Sequence, residues 1–277
     1  MYTLNCKGKL VMIEKPLVMG IINITADSFY KGYLLQTTAE IVATASQMLQ
    51  AGAAIIDIGG QSTKPGSTRL SADEEIKRVI PIIAAIISKH PSAILSIDTY
   101  HSQVAIAAVA AGASIVNDIS AGDMDKNMLQ TVANLQVPFI CMHMQGTPAT
   151  MQQQPTYHQV TETVLDYFIE RIAACTKAGI HDVLIDPGFG FGKSMTHNFT
   201  LLKQLAVLKI LQKPILVGLS RKSMVYKILG TTAQQALNGT TALHTIALLQ
   251  GANILRVHDV AEAVEVVQLL QAYDGIA

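Results

Sequence analysis

The sequence has no excess charge of either sign, because twenty basic residues balance twenty acidic residues over 277 positions. A chain without net charge lacks the electrostatic attraction that drives general binding to nucleic acids or to anionic membranes. We therefore expect no nucleic-acid partner and no membrane partner. Any anion site must be formed by a local group of residues.

Long apolar runs are also missing. The longest, "VIPIIAAII" at 79–87, is far shorter than the roughly 18 residues needed to cross a bilayer. The first ten residues contain no apolar core typical of a secretory signal. No linker or low-complexity tract divides the chain. These absences predict a soluble cytoplasmic protein with one domain over residues 1–277.

Cysteine is scarce. Cys6, Cys141 and Cys175 are odd in number, widely spaced and set among apolar neighbours, which supports neither a disulfide framework nor a zinc cluster. We expect all three to be buried as small apolar side chains. No His, Cys and carboxylate cluster has transition-metal spacing, so isolated His143 and His258 are expected to form hydrogen bonds.

A phosphate-binding loop is missing too, although "DPGFGFGKS" at 186–194 ends like one. The pattern G-x-x-x-x-G-K-[ST] needs a glycine five places before Gly192, where the amides cradle phosphates. Pro187 stands there and has no amide hydrogen. The run must be explained by its place in the chain.

What the sequence does contain is an alternation of eight β-branched runs with eight helical patterns. Runs that are apolar at nearly every position are typical of parallel strands covered by helices. We predict a (β/α)8 TIM barrel, with an open doubly wound sheet as the alternative. A hairpin with its turn near Lys7 and Gly8 precedes the first unit and is expected to plug the barrel floor.

Polar residues stand at the C-terminal side of the apolar runs, where both architectures place ligand sites. They are Asn23, Asp57, Asp98, Asn117, His143, Asp186, Ser220, Arg256 and His258. Two carboxylates, one amide and the ammonium of Lys222 suit a flat heterocycle with an amidine-like donor edge and a carbonyl opposite. A structural Asp–Lys ion pair is the alternative.

Anion-binding groups occur beside this set. Arg256 and His258 alternate along one strand and can both donate to an oxyanion. "LSRKSM" follows a strand and opens a helix, which favours an anion there. Asn23 alone is too weak a ligand for Mg²⁺, which would need phosphate oxygens and waters as well.

These residues lie in eight motifs, "GIINITADSF", "DIGGQSTKPG", "SIDT", "NDIS", "MHMQGTP", "DPGFGFGK", "GLSRKS" and "RVHDV". In this order, from Leu17 to Tyr273, the sequence resembles the dihydropteroate synthase family of folate biosynthesis. The resemblance implies a TIM barrel, usually a homodimer, that joins p-aminobenzoate to dihydropterin pyrophosphate. Dihydropteroate and Mg²⁺-bound pyrophosphate are the implied products, formed in an SN1-like step.

The resemblance also implies site roles. Asp98, Asn117, Asp186 and Lys222 would hold the pterin, with Met142 packed against it. Asn23, Thr63, Arg256 and His258 would hold the pyrophosphate and its Mg²⁺, Asn23 being the metal ligand. Ser223 would receive the aminobenzoate carboxylate, and Lys64 and Pro65 would contact substrate from the second loop. Phe191 and Lys193 would form a wall of the pterin pocket.

The sequence departs from the family pattern in its first two loops, at Ala26, Lys31, Gln61 and Lys64. If Lys31 and Lys64 replace an Asp–Arg contact, two like charges approach each other, and we expect looser closure and weaker binding of p-aminobenzoate or its sulfonamide mimics. Two alternatives stay open. One is a corrinoid-dependent methyltransferase with a similar pterin-binding barrel, and the other is a pterin-binding protein without catalysis.

Overall fold

The computed structural model describes residues 1–24, 37–61, 69–147, 151, 155–273 and 275. Its strands are β1 Tyr2–Cys6, β2 Lys9–Ile13, β3 Leu17–Asn23, β4 Ile55–Gly59, β5 Leu95–Asp98, β6 Ile115–Asp118, β7 Phe139–Met142, β8 Val183–Asp186, β9 Leu216–Val217 and β10 Ile254–Val257. The helices of the described ranges are α1 Thr38–Gln50, α2 Ala72–Lys89, α3 Ser102–Ala111, α4 Met128–Leu135, α5 Val160–Ala178, α6 Met195–Lys203, α7 Ser223–Tyr226, α8 Leu237–Leu249 and α9 Val260–Tyr273.

Strands β3 to β10 form one parallel sheet of eight strands in the order β8-β7-β6-β5-β4-β3-β10-β9. Its two ends meet, because Ile185 of β8 pairs with Ile215 just before β9 and donates its amide to Pro214 O at 3.0 Å. The predicted TIM barrel is therefore confirmed, and the open doubly wound alternative is wrong.

The N-terminal hairpin closes the end of the barrel opposite the polar strand ends. β1 and β2 are antiparallel, and their turn places Lys7 and Gly8 at positive φ, 56° and 86°. Leu4, Cys6 and Ile13 pack in one buried cluster with the first residues of the barrel strands, such as Ile55 and Ile254. The predicted hairpin at the barrel floor is confirmed.

Helix ends follow the sequence signals. Ser71 and Glu74, spaced as S-x-x-E, form a reciprocal capping box at the start of α2. Four glycines that follow helices have positive φ: Gly52, Gly112, Gly179 and Gly251. The seventh unit is less regular than predicted, because its preceding helical pattern divides into α6 and a 3₁₀ helix at Leu205–Leu211, and β9 has only two residues.

The outer layer of helices covers the barrel with a continuous apolar core. The three cysteines are buried and unpaired, as predicted, with the Sγ atoms of Cys141 and Cys175 3.7 Å apart. Within the ranges that the structure describes, no helix combines the length and apolar character needed to cross a membrane.

Candidate functional site

Two adjoining cavities open at the C-terminal ends of the barrel strands. The inner one, which we call the slot, has a free volume of only about 20 Å³. The predicted residues that line it are Asp98, Asn117, Met142, Asp186, Phe191, Lys222 and Arg256. The register explains this grouping, since Asp98 of β5 lies opposite Asn117 of β6 and Met142 of β7 lies opposite Asp186 of β8.

The outer cavity is much larger, about 840 Å³, and shares part of its wall with the slot. The predicted residues that line it are Asn23, Asp98, Phe191, Lys222, Ser223, Arg256 and His258. The structure thus brings together the predicted residues of the first strand end and of the last three βα units, with the exception of Lys193. Thr63, Lys64 and Pro65, together with the departures Ala26 and Lys31, lie outside the described residues.

Arg256 joins two carboxylates between the cavities. Its Nη2 atom lies 2.7 Å from Asp98 Oδ2 and 2.6 Å from Asp57 Oδ2, and its Nε donates to the same Asp57 oxygen at 2.7 Å. The Arg256 side chain is 19% exposed, whereas Asp57 is fully buried. The guanidinium is therefore held from below by Asp57 and from the cavity side by Asp98.

Asp57 also links Arg256 to the slot. Asn117 Nδ2 donates to Asp57 Oδ2 at 3.1 Å. The same carboxylate oxygen therefore accepts hydrogen bonds from the side chains of both Asn117 and Arg256. The other oxygen, Oδ1, is buried and has no hydrogen-bond partner among the residues that the structure describes. A buried carboxylate is retained when strong donors compensate it, and here the donors belong to two predicted site residues.

Burial weakens the acidity of the second carboxylate. It raises the pKa of Asp98 to about 7, against the opposing pull of Arg256, while the charge of Asp57 raises it further. A carboxyl group whose pKa lies near neutral pH can change its protonation state when a ligand binds. Of the two carboxylates that bind Arg256, Asp98 is the one that lines both cavities.

Asp186 and Lys222 form the opposite wall. Burial raises the pKa of Asp186, and the nearby Lys222 ammonium and the Gly188 amide, 2.8 Å from Oδ1, act against that shift. Burial lowers the pKa of Lys222 to about 8, with Asp186 opposing the change. Lys222 Nζ donates to Phe189 O at 2.5 Å and lies 4.6 Å from the ring centre of Phe191. The slot thus offers acceptors on one side and a cation on the other.

The glycines of "DPGFGFGKS" bring this loop against the end of β7. Gly188, Gly190 and Gly192 have φ of 67°, 81° and 60°, which is the left-handed region. A Cβ on Gly188 would clash with His143 O, and one on Gly192 with Gln145 O. Phe191 lines the slot as predicted. Lys193 lines neither cavity, so its predicted place in the wall is wrong: the side chain turns inward and binds carbonyls of its own loop.

The two predicted histidines have different environments. His258 lines the outer cavity, with Nδ1 3.0 Å from Ser220 Oγ, and burial lowers its pKa together with the charge of Arg256. His143 is buried, and its Nδ1 lies 2.9 Å from Lys193 Nζ. Burial lowers the pKa of His143 to about 3, so its role is a hydrogen bond inside the fold.

The donor set at the rim suits a magnesium ion that a ligand brings with it. Among the residues with described coordinates, no three His, Cys, Asp or Glu side chains form a metal cluster. Asn23 is exposed at the end of β3 and lines the outer cavity with Arg256 and His258. One amide oxygen beside anion-binding groups fits Mg²⁺ whose remaining ligands are phosphate oxygens and waters.

Two residues of the site have no role that the sequence predicts. Asp57 is a polar strand residue whose partner Arg256 is 199 positions away. Arg221, which lines the outer cavity, has φ of 53° and binds Asp259 through Nε at 2.8 Å and Nη2 at 2.7 Å. The one signal in the sequence for the second pair is that each residue directly follows or precedes a predicted site residue.

One departure from the family pattern falls in the described part of the second loop. Gln61 is buried, and its Oε1 accepts hydrogen bonds from Tyr100 OH at 3.1 Å and from the Leu70 amide at 2.9 Å. A neutral amide satisfies these two donors as well as a carboxylate oxygen would. The Gln61 departure is therefore accommodated in the fold.

The groups around the slot suit a flat polar ring once the slot has widened, and those around the outer cavity suit an anion. The slot supplies acceptors and one ammonium, while the rim supplies Arg256 and His258. A bond between the ring and the anion would lie where the two cavities meet. Stabilisation of a departing oxyanion by preorganised cations is the chemistry that this arrangement supports.

Comparisons with known proteins agree with these features. Residues 19–258 match the model of the pterin binding enzyme family. The chain is 43% identical to the dihydropteroate synthase of Escherichia coli K12 over 268 residues, 96% of this chain and 94% of that one.

Solved structures give the same result. The Yersinia pestis dihydropteroate synthase with a sulfonamide drug complex has a TM-score of 0.94 and 40% identity, covering 99% of this chain and 100% of that chain. The Xanthomonas albilineans dihydropteroate synthase with 4-aminobenzoic acid has a TM-score of 0.92 and 41% identity, covering 99% of each chain.

Proposed function

The chain belongs to the pterin-binding enzyme family, and on this premise we propose that it catalyses the dihydropteroate synthase reaction of folate biosynthesis. It is a transferase that joins 6-hydroxymethyl-7,8-dihydropterin pyrophosphate to 4-aminobenzoate and releases pyrophosphate and 7,8-dihydropteroate. The observation that carries the proposal is the convergence of Asp98, Asn117, Asp186 and Lys222 on one slot.

The slot matches the hydrogen-bonding pattern of a pterin. The donor edge of the ring, with its amino group and ring N–H, faces Asp186, whose carboxylate is buried and acts only as an acceptor when ionised. Lys222 donates to the carbonyl side, and Asn117 can both donate and accept. Met142, which is 3% exposed, packs against the ring face.

Entry of the ring requires the slot to open. A free volume of about 20 Å³ holds no more than about one water molecule. The contact that can yield is the one between Arg256 and Asp98, because Asp98 faces the cavity while Asp57 is buried below. We propose that the pterin takes over Asp98 and that Arg256, still held by Asp57, turns its free nitrogens to the pyrophosphate.

The leaving group lies in the outer cavity. Arg256 and His258 bind its oxygens, with Asn23 and Thr63 completing the cradle. Asn23 would hold the Mg²⁺ that accompanies the pyrophosphate, and the metal supplies charge neutralisation there. A helix begins at Ser223, so its hydroxyl and the adjacent backbone amides would receive the carboxylate of 4-aminobenzoate, with Phe191 along the ring. Lys64 and Pro65 of the second loop would contribute further substrate contacts. Sulfonamides would occupy the same place.

In the chemical step the C–O bond between the pterin methylene and the pyrophosphate breaks, and its electron pair leaves with the pyrophosphate. Conjugation with the ring spreads the positive charge at the methylene, which favours an SN1-like course. The aromatic amine then forms the new C–N bond and loses one proton to the solvent. Arg256 and His258 stabilise the charge that develops on the leaving oxygen, and no strong general base is needed.

Assembly as a homodimer is part of the proposal. Helices α8 and α9 pack together and carry large exposed apolar side chains, Ile246 and Leu249 on α8 and Leu269 and Tyr273 on α9. Sedimentation equilibrium should give a dimer, and Leu249→Asp with Leu269→Asp should give a monomer. A cytoplasmic location is also proposed, since three free buried thiols are typical of reducing compartments.

A turnover assay tests the function. The protein is mixed with dihydropterin pyrophosphate, 4-aminobenzoate and Mg²⁺, and pyrophosphate and dihydropteroate are measured together. Equal amounts of both products, dependent on every component, are expected. Pterin binding without pyrophosphate release would indicate a non-catalytic binding protein, and methyl transfer from methyltetrahydrofolate to a corrinoid would indicate the methyltransferase alternative.

A further inference from the structure

Lys193 is the last residue of the 188–193 loop and is 3% exposed, although it carries an ionisable amine. Its Nζ donates to Gly188 O at 3.0 Å, to Phe191 O at 3.1 Å and to His143 O at 3.4 Å, and lies 2.9 Å from His143 Nδ1. No ion pair joins Lys193 to any carboxylate that the structure describes. Hydrogen bonds to main-chain carbonyls thus compensate for the burial of the amine.

These hydrogen bonds fix both ends of a tight turn. Gly188 O also accepts the Phe191 amide at 3.0 Å, which closes the turn from Gly188 to Phe191. Lys193 Nζ donates to the carbonyls at both ends of that turn. The same amine contacts His143, the residue that directly follows β7. The Lys193 amine therefore holds the turn against the barrel from the inside, together with Asn198 Oδ1, which accepts the Gly190 amide at 2.7 Å.

The outer side of the turn faces the site. Phe189 O accepts from Lys222 Nζ, and the Phe191 ring lies under the same ammonium, 4.6 Å from it. At the start of the loop, the Gly188 amide donates to Asp186 Oδ1 at 2.8 Å. Lys222 and Asp186, which both line the slot, thus take part of their placement from the loop that Lys193 holds.

We propose that Lys193 is a positioning residue: it fixes the 188–193 loop so that Phe189 O, the Phe191 ring and the Gly188 amide place Lys222 and Asp186 for the pterin. It touches no substrate. This inference deepens the proposed function and rests on it only in naming the pterin as the ligand of the slot. Burial lowers the pKa of Lys193 to about 7, which fits an amine kept inside for its hydrogen bonds.

The placement predicts a selective defect. Lys193 holds the slot side of the site, whereas Arg256 and His258 are held by Asp57, Asp98 and Ser220 from other strands. Loss of the Lys193 amine should therefore weaken binding of a pterin ring and leave pyrophosphate binding unchanged. A side chain needed only for general stability would not separate the two ligands.

The experiment compares Lys193→Met with the matched control Lys203→Met, an exposed lysine at the end of α6. Dissociation constants are measured for 6-hydroxymethylpterin, which carries no phosphate, and for pyrophosphate with Mg²⁺. For Lys193→Met we expect at least about fivefold weaker pterin binding and pyrophosphate binding within about twofold of the wild type. Lys203→Met should match the wild type for both.

A smaller loss for the pterin, or an equal loss for both ligands, would overturn the proposal. Should Lys193→Met fail to fold, Tyr157→Phe decides, because the Tyr157 hydroxyl donates to Gly192 O of the same loop at 2.7 Å. Weaker pterin binding with unchanged pyrophosphate binding supports the proposal, and unchanged pterin binding refutes it. Wild-type protein that binds the pterin without turnover would contradict the proposed reaction and leave this comparison intact.

Discussion

Arg256 and Asp57 form a buried contact through two guanidinium nitrogens, Nε at 2.7 Å and Nη2 at 2.6 Å from the same oxygen. The two residues are on neighbouring sides of the barrel wall, separated only by β3 in the sheet order. The contact sets the direction of the guanidinium below the outer cavity. The contact between Arg256 and Asp98 is then the one that a ligand can replace.

Asp57→Asn should damage catalysis more than its size suggests. The amide keeps the shape of the side chain but removes the negative charge that orients Arg256. We expect kcat/KM to fall by roughly 10- to 100-fold, with binding of 6-hydroxymethylpterin less affected. Steady-state kinetics and a pterin titration check this.

Asp118→Asn is the matched control for that change. Asp118 is equally buried, and the hydrogen bonds it accepts from described residues come from its own loop, at the Ser120 amide and hydroxyl and the Gly122 amide. The Asp118→Asn change should lower the free energy of unfolding and leave kcat/KM of the folded enzyme close to the wild-type value. Equal kinetic loss in both variants would mean that Asp57 acts only through stability.

Arg256→Ala should reduce turnover far more than it reduces binding of a pterin that lacks phosphates. The side chain is needed for the leaving group, and its removal also frees Asp98 for the ring. We expect kcat to fall by at least about 100-fold. Titration with 6-hydroxymethylpterin provides the comparison, and equal losses of kcat and pterin affinity would assign Arg256 a structural role.

The fold could be predicted from the sequence because its signals are local. Apolar strand runs, the Ser71 capping box and the turn at Lys7 and Gly8 each depend on neighbours within a few positions. The edge that carries the site followed from parallel strands, whose C-terminal ends lie together. Closure of the barrel was not certain from periodicity, because it depends on the two-residue β9 and a single bridge at Ile185 and Ile215.

The connections inside the site could not be predicted. Asp57 and Arg256 are 199 positions apart in the chain. No pattern in the neighbouring sequence indicates that the Arg256 guanidinium contacts a carboxylate below the end of its own strand. Lys193 follows a glycine-rich run, and the sequence predicts it in the wall of the pocket. The positive φ of Gly190 and Gly192 instead directs its side chain into the loop. The narrowness of the slot depends on side-chain positions from several strands at once.

Stability should depend on pH through Glu75 in α2. Glu75 is fully buried, and Thr99 Oγ1 donates to its Oε2 at 3.1 Å. Its Oε1 has no hydrogen-bond partner within the described part of the chain. Burial raises the pKa of Glu75 to about 8, with Asp98 adding to the shift. Between the ordinary value of about 4.5 and this value, the folded protein binds one proton more than the unfolded chain, so its stability falls as pH rises.

Glu75→Gln should remove that dependence. Urea unfolding at pH 5, 6, 7 and 8 should show the variant more stable than the wild type by about 2–4 kcal/mol at pH 8, with the difference shrinking towards pH 5. Exposed Glu162 at the start of α5 supplies the control, and Glu162→Gln should run parallel to the wild type. A constant difference across the pH range would contradict the assignment to Glu75.

The departures in the first two loops predict a change in affinity. Replacing Lys31 with Asp and Lys64 with Arg removes one of two like charges and restores an opposite pair. We expect the double variant to bind 4-aminobenzoate and a sulfonamide several-fold more tightly. Calorimetric titration of both ligands measures this, with Lys31→Gln as the control for charge removal alone, and unchanged affinities in the double variant would remove the idea.

We expect a pterin ring to replace Arg256 at Asp98 while Asp57 stays bound to the guanidinium. Diffraction from crystals soaked with a pterin analogue and pyrophosphate measures this directly. The ring should lie among Asp98, Asn117, Asp186 and Lys222, with Arg256 bound to Asp57 and to a phosphate oxygen. A ring bound elsewhere, or an Arg256–Asp98 contact that persists beside the bound ring, would contradict it.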